Sequence, residues 1–213
     1  MTDRLREIFS SLPSCNIFAD VGCDHGYIAK AMLDSNKCNL AIVSDISAKC
    51  LQKAQTLLKD YVDLGRAESV VSDGLKKINS ADLVLIAGMG GEEIVAILEN
   101  APFLPERLVL QPMKNCDKVR VAVVNKGYRI EKDYCFSAEK KYYDLIVLTR
   151  GEDSLTEEEI EFGRTNILQR PRAFLERNKF FLEKYLSLAN DPKLSQKDRE
   201  SFIIKARKLQ SYV

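Results

Sequence analysis

One stretch, Ile17-Phe18-Ala19-Asp20-Val21-Gly22-Cys23-Asp24-His25-Gly26-Tyr27, constrains the fold of this chain most. Its apolar run ends in a glycine-bearing turn, and an apolar helical pattern (Ile28, Ala29, Ala31, Met32, Leu33) follows at once. Strand, tight turn and helix in this order make the first half of a nucleotide-binding βαβ unit. Glycine lets a backbone turn sharply and lets a ligand come close to it, so Gly22 and Gly26 are candidates for a binding turn. Asp20 ends the strand, at the edge where open α/β sheets hold their ligands.

The unit recurs along the chain. Apolar strands are expected at 16–21, 40–44, 67–71, 83–87 and 107–111. Helices are expected at 26–36, 47–61, 91–100 and 115–126. Two further strands, near 128–137 and 142–150, have no helix between them and must form an antiparallel hairpin. Near-continuous apolar strands alternating with helices imply a parallel sheet covered on both faces. A seven-stranded, mostly parallel sheet with an antiparallel hairpin at its edge is the Rossmann-like layout of class I methyltransferases. That layout is expected for residues 1–152. From Thr156 onward the period is purely helical. Thr156 to Glu159 reads as a capping box, with one helix running to about Gln169 and ended by Pro171. Helices at 171–190 and from Ser195, joined by the Asp191-Pro192 turn, must lie antiparallel with facing apolar seams. Residues 153–213 are therefore expected to form a coiled-coil-like helical hairpin.

Charge divides the chain in the same place. Residues 1–163 carry 20 Lys and Arg against 26 Asp and Glu, whereas residues 164–213 carry 12 against 5. A basic appendage on an acidic body suits a polyanionic partner; the alternative is a solvated helical face. No apolar run reaches the ~20 residues of a membrane span, and the N-terminus lacks a leader-like apolar segment. The six cysteines are scattered without a C-x-x-C pair, and there is one histidine. That usage fits free thiols in a reducing cytoplasm and gives no reason to expect a metal site.

Three constellations carry candidate chemistry. Asp20, Asp45 and Asp73 each follow an apolar strand, which puts three carboxylates on one sheet edge. Asp45 sits where an acid can bind ribose hydroxyls, and Asp73, followed by Gly74, can accept from an adenine amine; helix capping is the plainer role for each. The turn spacing G-x-x-x-G differs from the dinucleotide fingerprint, and its middle residue is Asp24. A carboxylate there would repel a pyrophosphate but would suit a ligand with a cationic part, such as S-adenosylmethionine. Asp20 or Asp24 would face its ammonium or sulfonium, with His25 and Tyr27 beside them. Second, Gly88-Met89-Gly90-Gly91 follows the central strand and can bring a flat base against bare backbone N–H groups. Third, Gln111-Pro112-Met113-Lys114-Asn115 puts two amides and a cation at the same edge, and the aromatics Tyr134, Phe136, Tyr142 and Tyr143 in and beside the hairpin could supply a stacking wall for a base, although such residues are more often core.

Together, Asp20 to Tyr27, Ile86-Ala87-Gly88-Met89-Gly90-Gly91 and Leu110-Gln111-Pro112 resemble the bacterial tRNA (adenine(22)-N(1))-methyltransferase family over essentially the whole chain. The resemblance implies methyl transfer from S-adenosylmethionine to N1 of an adenine in tRNA. It implies donor contacts from Asp20, Gly22, Asp24, His25, Gly26, Tyr27, Asp45, Ile46, Asp73, Gly74 and Gly88. Asp20, Asp24, Gly88, Met89 and Gly90 would lie beside the transferring methyl. Gln111, Asn115 and Tyr142 would meet the base, and Arg164, Arg170, Arg172, Lys179, Lys205, Arg207 and Lys208 the phosphates. Met113-Lys114 departs from the family pattern, which leaves the role of residues 111–115 open. A monomer is expected. The competing reading is a small-molecule or protein methyltransferase whose helical hairpin serves as a dimer interface.

Overall fold

A computed structural model describes residues 1–213. The elements alternate as the apolar runs require: α1 (Asp3–Ser11), β1 (Ile17–Val21), α2 (Tyr27–Asp34), β2 (Leu40–Asp45), α3 (Ala48–Leu57), α4 (Lys59–Asp63), β3 (Ala67–Val71), β4 (Leu83–Met89), α5 (Gly91–Glu99), β5 (Arg107–Pro112), α6 (Cys116–Asn125), β6 (Tyr128–Ala138) and β7 (Lys141–Arg150). Four helices follow: α7 (Glu157–Phe162), α8 (Arg164–Gln169), α9 (Arg172–Ala189) and α10 (Gln196–Gln210).

The seven strands form one sheet in the order β3-β2-β1-β4-β5-β7-β6. The first five pair in parallel, and β7 lies antiparallel between β5 and β6. The order reverses between β1 and β4, which leaves a crevice at their carboxyl ends. Both faces are covered. Phe18, Val43, Leu83, Leu85 and Val109 pack with α1, α2 and α3. Val21, Ile86, Leu108 and Leu110 pack with α5 and α6 on the other side. That explains why β1 is buried over four successive residues rather than alternately.

The C-terminal helices dock on β6 through a third core of Cys135, Phe162, Ala173, Phe174, Leu209 and Tyr212. The expected helix over 156–169 is two helices, broken at Gly163 (φ 87°). The cause is a buried ion pair. Arg120 Nε donates to Asp133 Oδ2 at 2.9 Å, and a Cβ on residue 163 would fall within 2.8 Å of both side chains. The break lets the backbone N–H groups of Arg164 and Thr165 donate to Asp133 as well. The helix expected over 47–61 also divides, at Leu58. Helices α9 and α10 are antiparallel, since Tyr185 stacks on Phe202 and Asn178 donates to the Tyr212 carbonyl. Phe202, Ala206 and Leu209 form the inward stripe of α10, and Ile203, one position off it, is exposed. No helix is long and apolar enough to cross a membrane.

Candidate active site

Two cavities open at the carboxyl edge of the parallel strands. The larger, of about 440 Å³, is lined by Arg4, Asp20, Cys23, Asp24, His25, Tyr27, Gly88 and neighbouring residues. The smaller, of about 190 Å³, is lined among others by Ser72, Asp73, Gly74, Lys76 and Ile97. Gly22, Asp45, Ile46 and Met89 belong to both walls, so the two form one cleft. Most of the expected donor contacts therefore meet in one place, although they are drawn from four strand ends. Gly26 is the exception. It packs behind the turn, where a Cβ would lie 3.0 Å from Ala54.

Asp20 is only 5% exposed and has no cation within ion-pairing distance. Burial raises its carboxyl well above the usual range, to about 7, and a backbone N–H from Ala29 pulls the other way. Asp24 has left-handed backbone (φ 47°), a conformation Asp tolerates better than most residues. Its carboxylate takes a 2.8 Å contact from His25 Nδ1, and the His25 ring stacks on Tyr27. Asp45 is tied by Oδ1 to the Ser47 N–H, and Asp73 is paired with Lys76 at 2.5 Å. Ile46 is exposed over the joint between the cavities. Gly22 (φ 72°) has a double reason to lack a side chain, because a Cβ there would collide with the Met89 side chain.

The glycine loop after β4 divides by function. Gly88 and Met89 line the cleft. Gly90 and Gly91 turn away from it and clasp the loop after β5. There the Gly91 N–H donates to the Lys114 carbonyl at 2.9 Å, and a Cβ on Gly91 would strike the Lys114 and Asn115 carbonyls. Gly90, expected beside the reacting centre, is not among the residues lining the cleft. It opens α5 and supports the wall from behind.

The expected base contacts do not line the cleft wall. Gln111 is fully buried and bonded within the protein: its Oε1 accepts from Arg4 and its Nε2 donates to the Pro112 carbonyl. Asn115, in left-handed backbone, opens α6 away from the cleft. Tyr142 lies outside the cleft wall. Its strand neighbour Tyr143 points inward, stacking on Phe136 beneath the Arg4 guanidinium. Alternation along a strand separates the two tyrosines, since adjacent side chains take opposite faces. Arg4 is not among the expected site residues, because Leu5, Ile8, Phe9 and Leu12 make residues 2–12 read as a short helix with one apolar face. The available signal was its position one turn before Ile8, a cation on the buried stripe.

The helical cations fall into two sets. Arg164 is a structural pin: Nε donates to Glu159 at 2.8 Å and Nη2 to Asp153 at 2.9 Å. Those bonds raise its affinity for the proton further. Arg170 donates to the Ser211 carbonyl, Arg172 pairs with Glu176 and Lys208 with Glu161. Lys205 lies against the rings of Phe202 and Tyr185. Lys179 and Arg207 are exposed and have no acidic partner.

Residues 1–146 match the model of a methyltransferase-domain family. The chain belongs to that family. Among its relatives, a tRNA (adenine(22)-N(1))-methyltransferase of Bacillus subtilis is 28% identical over 194 residues, covering 87% of this chain and 79% of the relative. A Mycoplasma pneumoniae protein, provisionally named a tRNA methyltransferase, is 38% identical over 104 residues; the match spans 48% of this chain and about half (49%) of that relative. The solved structure of Mycoplasma capricolum TrmK with S-adenosylhomocysteine superposes with a TM-score of 0.88. It is 23% identical, and the match covers 100% of this chain and 97% of that one. No cluster of three or more His, Cys, Asp or Glu is placed to hold a metal ion.

Proposed function

We propose that this methyltransferase moves a methyl group from S-adenosylmethionine to N1 of an adenine in tRNA, at position 22. The observation that carries the reading is the undivided cleft, which Asp20, Asp24 and Asp45 line together with Gly88 and Met89. Its acids suit a sulfonium and an ammonium, and Asp45 and Asp73 can accept from ribose hydroxyls and an adenine amine. The named activity of the Bacillus subtilis relative, which aligns through both the sheet and the helices, supports the base and its position.

When bound, the donor supplies a methyl group already activated on sulfur. The acceptor nitrogen has an in-plane lone pair and needs no deprotonation before attack. The work left to the protein is chiefly orientation, worth about 7–11 kcal/mol in favourable cases. Gly88 offers bare backbone to the base, and Met89 fills the floor between the cavities. The methylated base is a cation, and the Asp20 carboxylate gains a favourable neighbour as that charge develops. Because N1 lies on the pairing edge, the adenine must be extruded into the cleft. Of the expected phosphate contacts, Lys179 and Arg207 are exposed without an acidic partner and can meet phosphates, which would fix orientation rather than read sequence.

The deciding experiment incubates the protein with labelled donor and unmodified tRNA, then maps the modified nucleotide. Label at N1 of adenine 22 is the expected outcome; label elsewhere, or in no RNA, refutes the reading.

A further inference from the structure

The proposed donor carries a carboxylate as well as its cationic groups. Most of the charged side chains on the cleft wall are acids, and the donor's carboxylate needs a cation among them. Two candidates line the walls. Lys76 is already paired with Asp73. Arg4 has no carboxylate partner. It donates from Nη1 to Gln111 Oε1 at 2.8 Å, lies 5.8 Å above the Tyr143 ring centre, and stands beside the Gly88 backbone, where a Cβ would come within 3.4 Å of Nη1. A guanidinium has five N–H donors in a planar fork suited to two carboxylate oxygens. The partner that fixes this one is a neutral amide, fully buried, which aims the fork without cancelling its charge.

We propose that Arg4 binds the carboxylate of the methyl donor and that Gln111 is its positioning residue. Helix α1 then belongs to the donor site, and the buried glutamine at the end of β5 acts through the arginine rather than on the base. The inference rests on the donor assigned above and is independent of the RNA.

The test is calorimetric titration of the full chain and of Arg4→Ala, Arg4→Lys and Gln111→Glu with two probes: S-adenosylmethionine and its decarboxylated analogue. Thermal unfolding of each variant checks that it folds. The wild type should prefer the carboxylated donor by roughly ten-fold or more, the scale of a hydrogen-bonded charge pair. Arg4→Ala should lose that preference and bind both probes alike, while Arg4→Lys should keep part of it. Gln111→Glu, which sets an acid against the guanidinium, should weaken the preference in a folded protein. Unchanged affinity in Arg4→Ala, or equal loss for both probes, overturns the assignment. Unchanged donor binding with a raised KM for tRNA also overturns it and gives the guanidinium to an RNA phosphate. A wild type that binds neither probe refutes the donor reading itself. Intact preference in a protein that methylates no tRNA supports the carboxylate site and sinks only the RNA substrate.

Discussion

The seam between sheet and helices and the cleft at the sheet edge use the same residue types to opposite ends. At the seam every buried charge is answered. Arg120 meets Asp133, Arg164 meets Asp153 and Glu159, and Arg177 meets Asp144 at 2.8 Å. Backbone N–H groups of Arg164 and Thr165 also donate to Asp133. In the cleft, Asp20 is buried without a cation, and Arg4 has no acid. Buried charge is costly unless it is paired. A protein that answers three arginines with four carboxylates at one site and leaves an acid and a guanidinium without ionic partners at another has kept the second site incomplete for a ligand.

The largest expected effect comes from unbalancing the seam. Asp133→Ala strands the Arg120 guanidinium in the interior and should cost about 3–5 kcal/mol, measured by denaturant unfolding. A loss below about 1 kcal/mol would mean that the seam charges are not the anchor.

Next is Asp20, where the sign can be worked through. Its folded carboxyl titrates near 7, above the range of an unfolded aspartate. Between about pH 4 and 7 the unfolded state therefore binds fewer protons, and this group lowers stability as pH rises through that window. Below it both states are protonated and the cost vanishes. Relative to wild type, Asp20→Asn should gain up to about 4 kcal/mol between pH 4 and pH 8. Parallel stability curves for the two proteins would contradict this. Donor binding should release a proton near pH 7, seen as a dependence of the calorimetric heat on buffer ionisation enthalpy.

A smaller effect is expected at the turn. Gly22→Ala puts a Cβ on left-handed backbone and against Met89, at about 1–2 kcal/mol for the backbone. Because Met89 is shared by both cavities, donor affinity should fall along with stability; intact affinity would remove Met89 from the binding surface. The smallest effect belongs to Arg172→Ala. Its pair with Glu176 is 91% and 43% exposed, so a change within about 0.5 kcal/mol is expected. A larger one would show that exposed helix pairs also carry weight, which would blunt the contrast with the seam.

The sheet and the position of its cleft were legible because apolar runs of four to six residues leave little choice once helices alternate with them. Asp20, Asp45 and Asp73 were legible for the same reason, since a strand end is a fixed place. The break at Gly163 was not, because it answers Asp133, some 30 residues earlier and on another element. Nor was the division of the helical cations. Whether Lys208 or Lys179 is already paired depends on where Glu161 lies in space. Tyr142 and Tyr143 show a finer limit. One position along a strand decides which face a ring takes, and the sequence pattern there is aromatic on both.

The docking of α7 to α10 on β6 has a consequence of scale. Phe162, Phe174 and Tyr212 interlock ring against ring, and the kink at Gly163 is wedged by Arg120. An arm held in this way works as a caliper rather than a tether. The span between Lys179 or Arg207 and the Gly88 wall is set by the protein. On the proposed substrate, an RNA would be accepted or refused by the distance between its gripped backbone and the adenine it offers.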